Sequence, residues 1–229
     1  MARRRSSSTV NVWPVFTDAM LAFALVMVLM VTYQVARFIE LDDDEHGPWI
    51  ELREEEQAQI DSRVEELRAQ GYDIEVTQDG IIQNLQFGSD VTFKSGDDVL
   101  SDFGANLMSE IARAISGQSS GEQLETLVEV QVQGHTDNVP ITGGEFRSNW
   151  ELSTARATRV MESLIEGGLD PTKLDMSASG YGEFRPRNCP SGEDIEACNE
   201  TASDRAENRR LEMRLVFTDT PPPGWVPDY

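Results

Sequence analysis

From Trp13 to Phe38 the chain is apolar on every helical face, and between Ala19 and Val31 it carries no polar side chain at all. A soluble core helix keeps a polar face, whereas about 20 apolar residues in a row suffice to cross a bilayer as a helix. The pattern therefore predicts a transmembrane helix over 13–39. After it the periodicity changes. Ile60, Val64 and Leu67 recur at spacings of four and three, with Glu–Arg pairs around them and Gly71 as a stop, which predicts an amphipathic helix over 51–70. Its stripe is short and fits either its own domain or a second copy. Asp73–Phe87 reads as a hairpin turning at Gln78-Asp79-Gly80. Val99, Phe103, Leu107, Ile111 and Ile115 predict a helix capped by Ser95 or Asp97, and Ser116–Gln123 a polar loop. Leu127–Gly134 alternates strictly, as a half-buried strand does. A second helix is expected from about Asn149 to Gly167 and a strand at about Leu174–Ser179. A polar loop over Arg185–Ala202 is followed by a short helix and a closing strand through Phe217. This order predicts an α+β fold, β-α-β-α-β with a closing strand, in which helices lie against one sheet.

Charge orients this plan. Arg3, Arg4 and Arg5 precede the span, and positive residues stay on the cytoplasmic side. A signal peptide also starts basic, but this apolar run is longer than a usual h-region, no small-x-small cleavage site follows it, and Asp18 lies inside it. The expected layout is a cytoplasmic tail over 1–12, the span over 13–39, an acidic and helical connector over 40–71, a domain outside the cytoplasmic membrane over 72–219 and a loose tail over 220–229. That is a single-pass membrane protein. Trp13 and Trp49 are placed at the two membrane interfaces. The chain has 41 acidic against 19 basic residues, a formal charge of −22, and the part beyond the span is more acidic still. Such a surface argues against nucleic acid as a partner.

Asp18 stands about one turn into the membrane, where an ionised carboxylate is costly. It either snorkels to the interface or carries an ion, and intramembrane acids are usually functional. The stretch W-P-V-F-T-D-A-M-L-A-F-A-L-V-M-V-L resembles the transmembrane segment of MotB-type stator subunits, in which an aspartate after the entry Trp binds the ion. The resemblance gives that role to Asp18. A polar neighbourhood limited to Thr17 favours the proton over sodium. G-H-T-D at 134–137, N-W-E-L-S-T-A-R-A at 149–157, G-Y-G-E at 180–183 and N-R-R at 208–210 resemble, in order, an OmpA-like peptidoglycan-binding domain over about Val91–Phe217.

The resemblance implies that Asp137 and Arg156 take the zwitterionic end of a diaminopimelate side chain, ammonium on one and carboxylate on the other. It also implies that Thr136, Asn149 and Leu152 line the groove. The structural reading stands beside this: Asn149 as an N-cap, and Asp137 paired with Arg156 as an internal brace. Exposure of both charges at element ends is expected under the binding reading. His135 with Asp137 could begin a metal site, but zinc normally needs three protein ligands. Ser148 or Ser153 with His135 lacks a nucleophile elbow. Neither enzyme nor cofactor nor metal is expected, and His135 is read as a buried, hydrogen-bonded residue. Cys189 and Cys198 bracket eight residues, and in an oxidising compartment they are expected to pair.

The implied protein is the B subunit of an ion-driven stator or motor. It would be a homodimer inside a ring of MotA-like partners, five in number, and would be fixed to peptidoglycan. The short connector, the acidic outer part and the loop cysteines point to the B subunit of a Zorya-type anti-phage defence system. A flagellar stator and a passive wall tether are the other readings.

Overall fold

The computed structural model describes residues 13–94, 97–116, 124–142, 144–190 and 194–225. The expected cytoplasmic tail and its arginines, most of the Ser116–Gln123 loop, Ser95 as a cap, and the last four residues of the tail lie outside the described residues.

Helix α1 runs Trp13–Ala69 and includes Pro48, where the chain divides into two compact units, Met1–Pro48 and Trp49–Tyr229. A proline inside a helix forfeits one backbone hydrogen bond. In the first unit, Phe16–Arg37 is the one described helix stretch long and apolar enough to cross a membrane, and none of it is buried. The backbone of the acidic 41–47 segment is helical.

In the second unit α1 ends as its sequence predicts. Tyr72 N donates to the Leu67 carbonyl (3.1 Å) and Gly71 N to that of Arg68 (2.9 Å), a Schellman closure. Strands β1 (Ile74–Asp79) and β2 (Ile82–Gly88) form the hairpin. The short helix α2 (Ser89–Thr92) follows, then α3 (Asp102–Ile115), β3 (Leu127–Gly134), α4 (Asn149–Glu166), β4 (Asp175–Gly180), α5 (Ala202–Asn208) and β5 (Arg210–Phe217). Among the described residues the strands form one sheet in the order β1-β2-β5-β3-β4, with only β3–β4 parallel. The inward face follows the alternation: Met213 of β5 is registered against both Leu85 and Val132, and all three are buried. The fold is mixed α+β, with the closing strand β5 inserted between β2 and β3.

Three local expectations change. α3 is capped by Ser101, whose hydroxyl accepts from Gly104 N at 2.9 Å, and not by Asp97. The bridge between Phe93 and Leu100 closes a loop there first, so Val99 and Phe103 stay exposed while Leu107, Ile111 and Ile115 enter the core. The helix from Trp49 onward is no free connector: Ile60, Val64 and Leu67 share one core with the sheet, α3 and α4. Buried Glu56 accepts from Glu125 N (2.6 Å), Thr126 N (3.0 Å) and the Thr126 hydroxyl, and burial pushes its carboxyl up. Trp49, expected at a membrane interface, is 1% exposed. It donates from Nε1 to the Thr218 carbonyl (2.8 Å) and meets Trp225 edge to face at 4.9 Å. The tail is therefore fastened at Trp225.

Candidate functional site

Two glycines let α4 sit hard on the sheet. A Cβ at Gly134 would collide with the Ser153 carbonyl, and one at Gly180 with Thr154 and the Ser153 hydroxyl. The glycines of the G-H-T-D and G-Y-G-E stretches are thus explained by close approach. Ser153, a candidate nucleophile in the sequence, is buried in that contact. Its hydroxyl donates to the Trp150 carbonyl (3.0 Å) and accepts from Gly182 N (3.0 Å). Ser148 is the N-cap of α4, accepting from Glu151 N at 3.2 Å.

The chain around this packing converges. Tyr181 N donates to the Gly134 carbonyl (2.9 Å), Thr136 N to that of Gly182 (2.9 Å), His135 N to that of Arg210 (3.0 Å) and Ser89 N to that of Arg209 (2.9 Å). The end of β3, the start of α4, the segment after β4, the start of β5 and α2 therefore meet at one end of the sheet. Thr136, Asp137, Asn149, Leu152 and Arg156 all lie here and are all buried. The expectation of exposed charges is corrected: Asp137 is 8% and Arg156 5% exposed, Arg156 against Ser89 of α2 and Asp97 after it, and Asp137 against Arg209 and the turn to Val139.

Neither internal reading holds as drawn. Asn149 is not the cap; its Nδ2 donates to the carbonyls of Asp137 (3.2 Å) and Val139 (3.0 Å) and so fixes the loop after β3. Asp137 does not pair with Arg156. Its Oδ2 accepts from Arg209 Nη1 at 2.6 Å and its Oδ1 from Val139 N at 3.1 Å. Arg209 also grips Asp90, with Nε–Oδ1 and Nη2–Oδ2 distances of 2.9 and 2.7 Å. These carboxylates, Asp90 foremost, hold the Arg209 guanidinium far above its ordinary value against the opposing effect of burial. Sequence reading quoted N-R-R but gave Arg209 no role; the signal was in that motif.

Arg156 differs in kind. It donates from Nε to the Asp97 carbonyl (2.9 Å) and from Nη1 to the Ser89 hydroxyl (3.2 Å), and it lies 5.1 Å from the centre of the Phe93 ring. No described carboxylate is within ion-pair distance of it. Burial, the largest influence, lowers its pKa, with Asp90 and Asp97 pulling the other way from a distance. A buried cation held by neutral acceptors is a standing demand for an anion. Thr136 Oγ1, also buried, has no partner among the described residues.

His135 is buried at 2% exposure and stacked on Tyr181, centroids 5.2 Å apart. Contrary to expectation, neither ring nitrogen makes a hydrogen bond to a described residue; Glu212 is 3.9 Å away. Burial first, then the charge of Arg210, lowers its pKa from 6.5 to about 4. No group of three or more metal-ligating side chains occurs among the described residues.

A chain of buried asparagines flanks the site. Asn199 Oδ1 accepts from Asn138 N (3.3 Å) and Asn208 Nδ2 (2.9 Å), and Asn208 Nδ2 also donates to the Cys198 carbonyl (2.8 Å). Cys198 is disulfide-bonded to Cys189, with their Cα atoms 5.5 Å apart. The closed loop thus bears on both Asp137, through Asn138, and Arg209, through Asn208. Asp18 lies elsewhere, on the exposed apolar helix of the first unit.

Residues 92–200 match the OmpA family model. Motility protein B of Bacillus subtilis is 44% identical over 85 residues, 37% of this chain and 29% of that protein. The chain thus spans under a third of the length of that curated relative. The cell wall anchor of the T6SS from Pseudomonas aeruginosa superposes with a TM-score of 0.53 at 26% identity, over 68% of this chain and 94% of that one. A MotB like protein from Desulfovibrio vulgaris superposes with a TM-score of 0.60 over 74% and 96%; at 22% identity this is a likeness of fold. The chain is thus similar over residues 92–200 to the OmpA family and over 85 residues to motility protein B, and an apolar helix stretch, Phe16–Arg37, precedes the matched family region.

Proposed function

We propose that this chain is the peptidoglycan-anchored B subunit of an ion-driven stator or motor of the inner membrane. The observation that carries the anchoring part is Arg156: a buried guanidinium, satisfied by a carbonyl and a hydroxyl, with Asp137 in the same polar cluster by way of Arg209 and Ser89. A diaminopimelate end offers a carboxylate to Arg156 and an ammonium to Asp137, where charge-assisted bonds are strongest. Thr136, Asn149 and Leu152 shape the floor. The likeness to a wall anchor and to a motility protein supports this reading.

In the same proposal the N-terminus is cytoplasmic and the second unit periplasmic. The chain works as a homodimer within a five-membered ring of MotA-like subunits, and Asp18 alternates between proton-loaded and charged states. Its service is anti-phage defence of the Zorya type, supported by the acidic surface and by a wall-binding unit that begins at Trp49, soon after the span. Plaque counts and swimming assays in a deletion strain separate defence from flagellar motility. Loss of motility with unchanged phage resistance would replace the first by the second.

The anchoring test uses the full-length protein in detergent with purified sacculi. Arg156→Ala and Asp137→Ala should each cut cosedimentation by about 100-fold, the scale of losing a buried charge-assisted contact. The double variant should be little worse than either single one, because one lost grip already loses the register. Wild-type sedimentation of both, with lowered melting temperatures, would make the residues a brace and sink the anchor site.

A further inference from the structure

We infer that residues 218–225 form a strap that ties the start of α1 in the second unit to the sheet, and so carries load entering at Pro48 to the end of the sheet where the stem site lies. The strap is read from the second unit alone; the load it carries rests on the anchored-motor reading. Trp49 follows Pro48, where α1 forfeits a backbone hydrogen bond. It is 1% exposed, yet it lies outside the core that holds Ile60, Val64 and Leu67. Its partners belong to the tail: Nε1 donates to the Thr218 carbonyl (2.8 Å), and its ring meets Trp225 edge to face. One turn on, Arg53 pairs with Asp219. The next described hydrogen bonds from α1 to the domain come at Glu56, from Glu125 N and Thr126 N, and at Gln57, to the Gly80 carbonyl (3.3 Å).

The tail is built to return to α1. Thr218 continues β5, and its N–H donates to the Thr126 carbonyl (2.8 Å). Pro221, Pro222 and Pro223 fix three successive φ angles, which lowers the entropy lost on docking. Gly224 has a φ of 88°, a conformation that residues with a Cβ rarely adopt, and Trp225 N closes the turn on the Pro222 carbonyl (3.1 Å). A loose tail needs neither the stiff run nor the turn that presents Trp225 to Trp49.

The ties lie where a load would need them. Thr126 and Thr218 flank the β3–β5 pair at its Leu127–Phe217 end, and the stem site lies at the other end, by Gly134 and Leu211. The two strands are antiparallel, and both are interior in the sheet. A pull on Trp49 against a wall-bound Asp137 and Arg156 therefore runs along the strands, over the about 25 Å of an eight-residue strand. Ladder hydrogen bonds lie across that direction, so they bear the pull together and are not unzipped one by one. Released from the tail, α1 would instead peel from the domain turn by turn, from Trp49 towards Ile60.

Two measurements on full-length protein in detergent test this. Native-state hydrogen exchange reads the strap. Trp225→Ala removes a half-buried ring and should speed exchange of the amides in 49–57 about tenfold, with β3 and β5 unchanged. Gly224→Ala keeps the ring, meets open space and strains the turn, and should speed the same amides about fivefold. Mechanical pulling reads the load. Attachment through azide-bearing residues placed at the exposed positions Glu51 and Val139 applies force between the start of α1 and the loop after β3. Wild type should yield in one rupture, and Trp225→Ala should add an earlier step at lower force. Unchanged exchange in 49–57 in both variants overturns the strap. Faster exchange there with a wild-type rupture pattern overturns the load path. Faster exchange spread equally over β3 and β5 makes Trp225 a general core contact and overturns the strap as well. Neither readout uses peptidoglycan, so failure of the sacculus test, with these results as expected, sinks the anchored-motor reading and leaves the strap standing.

Discussion

Asp18 and Asp137 are the two carboxylates on which the proposed function rests, and their surroundings are opposite. From Phe16 to Arg37 none of the helix is buried, so no described residue encloses Asp18. At the end of β3 the charged groups are enclosed and nearly all spoken for: Asp137 by Arg209 and Val139 N, Arg209 by Asp90 as well. In the first region composition alone defines the element, and under the proposed function its chemistry needs other subunits. In the second the chain supplies most of the partners itself, and binding capacity is what those partners leave unspent. Arg156 is informative for that reason, since it is the buried charge there without a carboxylate of its own.

The largest expected effect lies in the exposed region. Asp18→Asn should abolish activity, read as phage resistance or motility, with wild-type membrane levels and wild-type sacculus binding. Normal activity would make the helix a tether and remove the contrast between a transducing and an anchoring unit.

α1 contains both environments, and substitutions along it measure the boundary. Leu67→Ala removes a fully buried side chain and should cost about 3 kcal/mol in denaturant unfolding of the second unit. Leu21→Ala, on the exposed apolar stretch, should change that unfolding by less than about 0.5 kcal/mol. Equal effects would mean that the helix beyond Trp49 is no more part of the domain than the span is.

Much of this was legible because it is local. The hairpin at Gly80 and the Ile60–Val64–Leu67 stripe follow from turn chemistry and period, each decided within a few residues. The convergence of Thr136, Asp137, Asn149, Leu152 and Arg156 at one end of the sheet was legible from the motifs that hold them. Their burial was not, because it is imposed from afar: α2 covers Arg156 from 67 positions away, and Arg209 reaches Asp137 across 72. Trp49 was misplaced for the same reason. A Trp after an apolar span reads as an interface marker until Thr218 and Trp225, far along the chain, are brought to it. α3 starts late because a bridge between Phe93 and Leu100 precedes it, and no periodicity records such a bridge.

A smaller effect is expected at the disulfide. Closing a loop of this length should stabilise the second unit by about 2–3 kcal/mol, measured as the difference between wild type and Cys189→Ser/Cys198→Ser. Intact-mass measurement without reductant should read two hydrogens below the reduced chain. Because the loop supports Asn199 and Asn208, the double variant should also lose about threefold in sacculus affinity at temperatures where it is still folded. Two freely alkylated thiols in fresh protein would sink both expectations.

The most subtle effect is the pH dependence of His135, the enclosed group whose charge state the site end decides. Its folded-state pKa, about 4, lies below the ordinary 6.5, because burial and then Arg210 disfavour the imidazolium. A base depressed in this way contributes stability that is fully present above pH 6.5, where folded and unfolded chains are both neutral. As the pH falls below 6.5 the unfolded chain takes up a proton that the folded chain refuses, and stability drains away until about pH 4, where the folded imidazole titrates too. The total should be about 3 kcal/mol. His135→Phe keeps a ring to stack on Tyr181 and removes the proton. Unfolding free energies of the two proteins, compared across this interval, should converge or cross in the variant's favour as the pH falls. A constant difference would mean that water or ions reach His135 freely, so that the end of β3 is no more enclosed than the span that carries Asp18.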